Sequence, residues 1–301
     1  MAVTAAPAMT AARAIGSRRR FWAVIGLTGP AYVWLVFTVL LPLSAMLYFS
    51  VLTVAPIGGR TTELTLSHYL DFFRKGFYLT LTGRSLWLGV WVTVFCLLLG
   101  FPAAYALAKH VKGRWREALF LLTALPFWSD ALVRTFSWTM VLRADGLADR
   151  GLQWLMPGLP HLDLLFTFAA VVIGLVHSFL PYMILTCYIS LQAIDDSLLE
   201  AARSLGATGF TVFRRVVLPL SAPGILAGTI LIFVPVIGSF MEPRILGGRG
   251  GFMLGNVIED QFTVVFNWPL GAALSFILLG IVLLILAVSY PLLRRYLQGA
   301  A

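Results

Sequence analysis

Long apolar runs alternate with short polar stretches along this chain, and the apolar runs are of helix length. They lie at about 22–54, 86–108, 118–142, 164–191, 217–240 and 269–293. A helix needs about 20 mainly apolar residues to cross the hydrocarbon core of a bilayer, and each run reaches that length. The pattern therefore predicts an all-α integral membrane protein with six transmembrane helices.

Prolines interrupt the first five of these runs. They are Pro42, Pro102, Pro126, Pro181 and Pro235. Proline removes a backbone donor and bends a helix, which a membrane bundle tolerates where neighbouring groups satisfy the freed carbonyls. We therefore expect kinks at these positions.

The composition agrees with a chain that lies mostly in lipid. Hydrophobic residues make up 59% of it, charged residues 12%, and the mean hydropathy is +0.90. These values exclude an ordinary soluble domain and make the lipid bilayer its main surroundings. Cys96 and Cys187 both lie inside apolar runs, so we interpret them as small buried side chains rather than as a disulfide or a zinc site.

Residues 1–20 form an alanine-rich tail that ends in three arginines, Arg18 to Arg20. Arginines before an apolar run also occur in twin-arginine export signals. The run that follows here is too long for a signal peptide and lacks a persuasive cleavage site. We predict a cytoplasmic tail over 1–20, followed by a six-span membrane domain over 21–301.

Charge decides the orientation of these spans. With the first residues inside, the cytoplasmic segments hold 13 Lys/Arg and 4 Asp/Glu, while the external segments hold 8 of each. Cytoplasmic segments of membrane proteins are enriched in Lys and Arg. Both termini and the polar stretch 193–219 are therefore predicted to be cytoplasmic, and the net charge of +9 indicates topology rather than nucleic-acid binding.

The polar stretch 193–219 has the order of a short helix, a turn and a second helix. Ser197 and Glu200 have the spacing of a capping box, which predicts a helix start. Gly206 is suited to the left-handed residue that ends such a helix. A second amphipathic piece at 210–215 then leads to the next apolar run, so we predict a helix-turn-helix on the membrane surface.

The same stretch resembles the EAA loop of binding-protein-dependent ABC importer permeases. The resemblance rests on six residues and on the spacing between them, with Val216 where isoleucine is usual: Glu200, Ala201, Ala202, Gly206, Leu218 and Pro219. It implies the type I importer permease fold, in which this loop is a coupling helix that docks on a cytoplasmic ATPase. The alternative is an interfacial amphipathic helix that only joins two spans.

Other motifs resemble the spermidine/putrescine branch of these permeases. They are Leu125 to Trp128 with Arg134 following, Gly255 to Ile258, and Trp268 to Ala273. Asp130 departs from this branch, where an uncharged polar residue is usual. The resemblance implies a multi-pass protein of the bacterial inner membrane that takes up polyamines with a second permease subunit, an ATPase dimer and an external solute-binding protein. It also leaves open a permease for another small solute.

The chain carries no motif of an enzyme. None of its three lysines, Lys75, Lys109 and Lys112, follows a glycine, so a phosphate-binding loop is absent. We therefore expect no catalytic residue, metal or cofactor in this chain, with ATP and Mg²⁺ bound by the partner ATPase. A self-contained secondary transporter is the competing class, although such carriers usually show repeated halves and more spans.

Ionisable and aromatic residues near the external ends of the spans are candidates for a substrate path. They are Asp130, Arg134, Trp128, Tyr182, Phe240 and Glu242. Carboxylates and aromatic faces both attract the ammonium groups of a polyamine. Asp130 and Arg134, four residues apart, are predicted to pair on one helix face, either as a structural ion pair or as a path-lining pair. Glu242 lines the path, pairs with Arg244 or contacts the binding protein.

Overall fold

The computed structural model describes residues 6–55, 62–158 and 160–298, with side chains over 25–55, 62–158 and 160–289. These residues form thirteen α-helices, with one 3₁₀-helix, one π-helix and a single β-bridge between Leu52 and Leu64. The predicted all-α membrane fold is confirmed.

Five helices are long and apolar enough to cross a bilayer. They are α1 (Ala6–Ser50), α3 (Gly76–Lys109), α7 (Phe168–Gln192), α10 (Leu218–Ile237) and α13 (Trp268–Gln298). Their positions agree with five of the predicted spans. The first of them begins at Ala6, so residues 6–20 of the predicted tail are helical and continuous with the span.

The third predicted span is a bent pair of helices rather than one rod. α4 (Arg114–Ala124) continues into a 3₁₀-helix over Leu125–Trp128, and α5 (Ala131–Leu142) starts after two residues of extended backbone. The stretch Arg114–Trp128 is bent by 95° against the stretch Ala131–Leu155, which begins with α5. Counting this pair as one span gives the six that the sequence predicts.

The centre of the bundle is formed by α3, α7 and α10, which pack against one another. Gly224 and Gly228 on α10 allow the close approach to α7, because a Cβ at Gly224 would lie 2.5 Å from the Thr186 carbonyl oxygen. Helices in membranes commonly associate through such small residues. α1 lies at the periphery, where it packs against α13.

Short helices connect the spans on both sides of the bundle. Those between α1 and α3, α5 and α7, or α10 and α13 belong to the side predicted to be external: α2 (Ser67–Arg74), α6 (Leu147–Leu155), α11 (Met241–Gly247) and α12 (Leu254–Thr263). The opposite side carries α8 (Asp196–Ser204) and α9 (Gly209–Val212), which lie between α7 and α10.

Candidate coupling and pathway sites

In the coupling segment, residues 193–219, the cap of the first helix lies two residues before the predicted one. The Asp195 carboxylate accepts a hydrogen bond of 2.9 Å from the Ser197 amide, and α8 runs from Asp196. The predicted capping box of Ser197 and Glu200 is therefore wrong, because Asp195 already satisfies the free amide. This hydrogen bond lowers the pKa of Asp195.

The backbone at the end of α8 explains why the EAA-like stretch has a glycine at position 206. Gly206 has φ +81°, and its amide donates to the Arg203 carbonyl, while the Ala207 amide donates to Ala202. These two bonds define a Schellman motif, in which only a left-handed residue fits at the position of Gly206. The predicted helix end at Gly206 is confirmed.

Two faces of α8 have different surroundings. Leu199 is buried, and Ala202 and Ala207 pack against the core of the bundle. Ala201 is exposed, and so is Leu205, whose side chain is 90% exposed. The inner face thus fixes α8 to the bundle, and the outer face leaves small and apolar side chains exposed.

The second half of the coupling segment is the beginning of the fifth span, not a separate helix. α9 passes into a π-helix at Phe213–Val217, and this passes directly into α10. The Leu218 amide donates to the Phe213 carbonyl, five residues back. Since Pro219 has no N–H to donate, this wider turn accommodates the Leu218-Pro219 pair without ending the helix.

The two charged residues of the third span, Asp130 and Arg134, stabilise the break between α4 and α5 through hydrogen bonds to the backbone. The Asp130 carboxylate accepts hydrogen bonds from the amides of Leu132 and Val133, at 2.8 and 3.2 Å, and so caps α5. The Arg134 guanidinium donates to the Pro126 carbonyl at 2.7 Å. The predicted pairing of Asp130 with Arg134 is wrong, because each side chain satisfies backbone groups that the break leaves free.

Of the aromatic path candidates in this region, Tyr182 packs against the break and Trp128 does not. The Tyr182 ring on α7 packs against Phe127 with centroids 4.7 Å apart, and Trp128 is 86% exposed. Tyr182 therefore joins the break through Phe127, which was not among the predicted path residues although it lies in the quoted Leu125 to Trp128 motif. Trp128 faces away from the described chain.

Polar side chains also fix the backbone where α10 ends. The Ser239 hydroxyl donates to a Glu242 carboxylate oxygen at 2.7 Å, and the Asn256 amide donates to the Phe240 carbonyl at 2.8 Å. Arg244 pairs with Glu259 and Asp260, which raises the pKa of Arg244. The alternative in which Glu242 pairs with Arg244 is thus wrong.

The fold brings the two groups of path candidates to neighbouring helices. α11, which carries Glu242, packs against both α5 and α7. The coupling segment lies at the other end of α7 and α10, so the two candidate sites are separated along the bundle. The exposed face of α8 thus lies at one end of the bundle, and the carboxylates of Asp130 and Glu242 lie towards the other.

Comparison with known proteins identifies the class. Residues 97–300 match the family described as the binding-protein-dependent transport system inner membrane component. This match covers more than half of the chain, which therefore belongs to that family. The protein is a multi-pass permease of an inner membrane, a non-catalytic component for which no cofactor of its own is expected.

Relatives refine this assignment. The chain is 36% identical over 259 residues to the spermidine/putrescine transport system permease protein PotB of Haemophilus influenzae, covering 86% of this chain and 90% of that protein. It is 35% identical to PotB of Escherichia coli over 88% of this chain and 97% of that protein. It is also 34% identical to the inner membrane ABC transporter permease protein YdcU of Escherichia coli, over 75% of each chain.

Solved structures support the fold. A chain of a bacterial ABC transporter involved in the import of the acidic polysaccharide alginate superposes with a TM-score of 0.71 at 17% identity, covering 94% of this chain and 99% of that one. A chain of the MetNI methionine ABC transporter superposes with a TM-score of 0.54 at 17% identity, covering 72% and 95%. These similarities establish the importer permease fold.

Proposed function

We propose that this protein is a permease subunit of an ATP-driven importer of polyamines such as spermidine and putrescine. The observation that carries this proposal is the similarity to PotB, which extends over 86% of the chain. The position of the motifs supports it, since the residues of the Leu125 to Trp128 motif and Arg134 form the break in the third span.

The proposed assembly contains this subunit, a second permease, an ATPase dimer that binds ATP and Mg²⁺, and an external solute-binding protein. α8 docks on the ATPase through its outer face, because Ala201 and Leu205 are exposed while the inner face is held by the bundle. An interfacial helix that merely joins two spans would bury its apolar side chains in the membrane surface and would have no ATPase partner.

Asp130 and Glu242 are proposed to attract the cationic substrate. Both carboxylates carry local hydrogen bonds that orient them, and neither has an ion-pair partner among the described side chains. A polyamine presents separated ammonium groups on an apolar chain, so the rings of Tyr182 and Phe240 suit its methylene segments and its charge.

Uptake of labelled spermidine and putrescine by the complete complex tests this function. Asp130→Asn and Glu242→Gln are the sharpest variants, because asparagine still caps a helix and glutamine still accepts a hydrogen bond, so that only the charge is removed. Each variant is expected to lower polyamine uptake while the complex still assembles. Uptake at the parent rate in both would remove these acids from the path. A parent complex that transports no polyamine would assign the permease to another small solute.

The proposed orientation has its own test. A cysteine at Lys112, on the coupling side, should resist a membrane-impermeant thiol reagent in intact cells, and a cysteine at Arg249 should react. Both positions are exposed, and the native Cys96 and Cys187 are buried, which keeps the background low. The reverse pattern would place α8 outside and out of reach of an ATPase.

A further inference from the structure

The second span, α3, holds the coupling segment through a lysine at its last residue. The Lys109 ammonium donates to the Ile194 carbonyl at 2.6 Å and to the Asp196 carboxylate at 2.7 Å. Its side chain is only 9% exposed, whereas that of Asp196 is 74% exposed. Lys109 thus joins the end of α3 to the first residue of α8, and the contact lowers the pKa of Asp196.

A second contact joins α3 to the other half of the coupling segment. The Phe213 ring, at the start of the π-helix, packs edge-on against Phe101 at 5.9 Å and Tyr105 at 6.3 Å between centroids. Both partners lie on α3, within two turns of Lys109. The same helix end therefore holds the segment at its beginning and at its end.

From α3 the connection continues to the third span. The Arg116 guanidinium, in the first turn of α4, donates to the carbonyls of Val111 and Ala108, which are left free where α3 ends. α4 is the first part of the bent span that carries Asp130 and Arg134. Direct hydrogen bonds thus join the end of α3 to the start of α4.

We propose that Lys109 is a positioning residue that transmits the movement of α8 to α3, and through α3 to the broken third span. The inference rests on the proposed coupling role of α8. A charged hydrogen bond is short and directional, and here its donor, Lys109, is largely buried, which suits it to moving two helices together. Phe213 adds an apolar contact that keeps the π-helix in register with α3.

The test uses the complete complex with its ATPase, second permease and binding protein. Lys109→Met keeps the length and apolar stem of the side chain but removes both hydrogen bonds, and Lys109→Arg restores a cationic donor. Lys112→Met is the matched control, since Lys112 lies three residues after Lys109, is exposed and donates no hydrogen bond to Ile194 or Asp196. The measurements are the amount of ATPase that co-purifies and the ratio of binding-protein-stimulated to basal ATP hydrolysis.

Lys109→Met is expected to retain the ATPase and to lower the stimulation ratio roughly tenfold, a loss typical of a charged hydrogen bond. Lys109→Arg should recover most of the ratio, and Lys112→Met should keep it. Asp196→Asn, at an exposed site where folding is not at risk, should show a smaller loss in the same direction. Full stimulation in Lys109→Met, or an equal loss in Lys112→Met, would overturn the inference, as would loss of the ATPase from the Lys109→Met complex.

Ala201→Arg separates this inference from the proposed function. It adds bulk and charge to the exposed face of α8 and leaves Lys109 itself unchanged. If Ala201→Arg leaves coupling intact, the docking role of α8 is wrong. If Ala201→Arg abolishes coupling and Lys109→Met does not, docking stands and only the transmission through Lys109 is wrong.

Discussion

The coupling segment and the break in the third span are both places where a helical run is interrupted and restarted. In each, an aspartate caps the new helix: Asp195 for α8 and Asp130 for α5. They differ in what surrounds them. The coupling segment is polar and turns apolar side chains such as Leu205 outward, whereas the break lies in an apolar run and turns its charged Arg134 back onto its own backbone.

This difference follows from the solvent available to each region. Water can satisfy most free backbone groups at the membrane surface, so few side chains of the coupling segment are needed for that purpose. In the membrane each free carbonyl or amide costs several kcal/mol unless the protein satisfies it. A charged residue inside a span can therefore serve to hydrogen-bond free backbone groups as well as to line a substrate path.

The largest expected effect is at the turn of the coupling segment. Gly206→Pro removes the amide that donates to Arg203 and forces a negative φ where the chain has +81°. We expect binding-protein-stimulated ATP hydrolysis to be abolished while the protein still inserts into the membrane. Gly209→Ala is the control, because a Cβ there meets no atom within 4 Å. Normal coupling in Gly206→Pro would contradict the role of this turn.

The coupling segment was largely predictable from sequence, since its signals are local. The end of α8 at Gly206 depends on residues within one turn, and only the cap was misplaced by two residues because Asp195 competes with Ser197. A kink at Pro126 is predicted, but the complete interruption of the helix after Trp128 is not. Pro126 and Asp130 were both visible, but hydropathy averages over them, and a 95° bend depends on how α4 and α5 pack against other helices. The contacts of Lys109 with Ile194 and Asp196, 85 or more residues away, have no local signal at all.

The second prediction concerns the break. Arg134→Met leaves the Pro126 carbonyl without its donor, which should destabilise the protein by about 1–3 kcal/mol and lower substrate uptake. Thermal unfolding of the detergent-solubilised complex measures the first effect. Arg143→Met is the matched control, since Arg143 is exposed at the end of α5. Equal stability of Arg134→Met and the parent would show that the guanidinium does not hold the bend.

A third, smaller effect tests the outward face of the coupling segment. Leu205→Ala removes apolar surface that is 90% exposed in this chain, so stability should change by less than about 0.5 kcal/mol. The affinity for the ATPase should fall roughly fivefold, or about 1 kcal/mol, as expected when the apolar burial of about one methylene group is lost from an interface. Leu155→Ala, an exposed leucine on the opposite side, is the control for titration of the ATPase against reconstituted permease. Unchanged affinity would place Leu205 outside the interface.

The smallest expected effect lies in the loop between α5 and α7, which is predicted to be external and so to meet a varying pH. The His161 ring bonds the Asp149 carboxylate at 2.8 Å, and the Leu162 amide donates to the other oxygen, which ties residues 161–162 to α6. Asp145 lies 3.8 Å from the same ring nitrogen. These contacts set the charge states of both partners.

The hydrogen bond to Asp149 raises the pKa of His161 above its ordinary value of 6.5, and the bond to His161 lowers the pKa of Asp149 below 3.8. The stabilisation from His161 is fully present below pH 6.5 and is lost as the pH rises through the raised pKa. That from Asp149 is fully present above pH 3.8 and is lost as the pH falls through the lowered pKa. Protection of amides 160–163 from hydrogen exchange, corrected for the intrinsic rate, should therefore be highest between pH 3.8 and 6.5 and decline as the pH rises through the raised pKa of His161. His161→Gln should flatten the alkaline decline, while Asp145→Asn should change it little because that contact is longer. A decline that persists in His161→Gln would assign the pH dependence to another group of the loop.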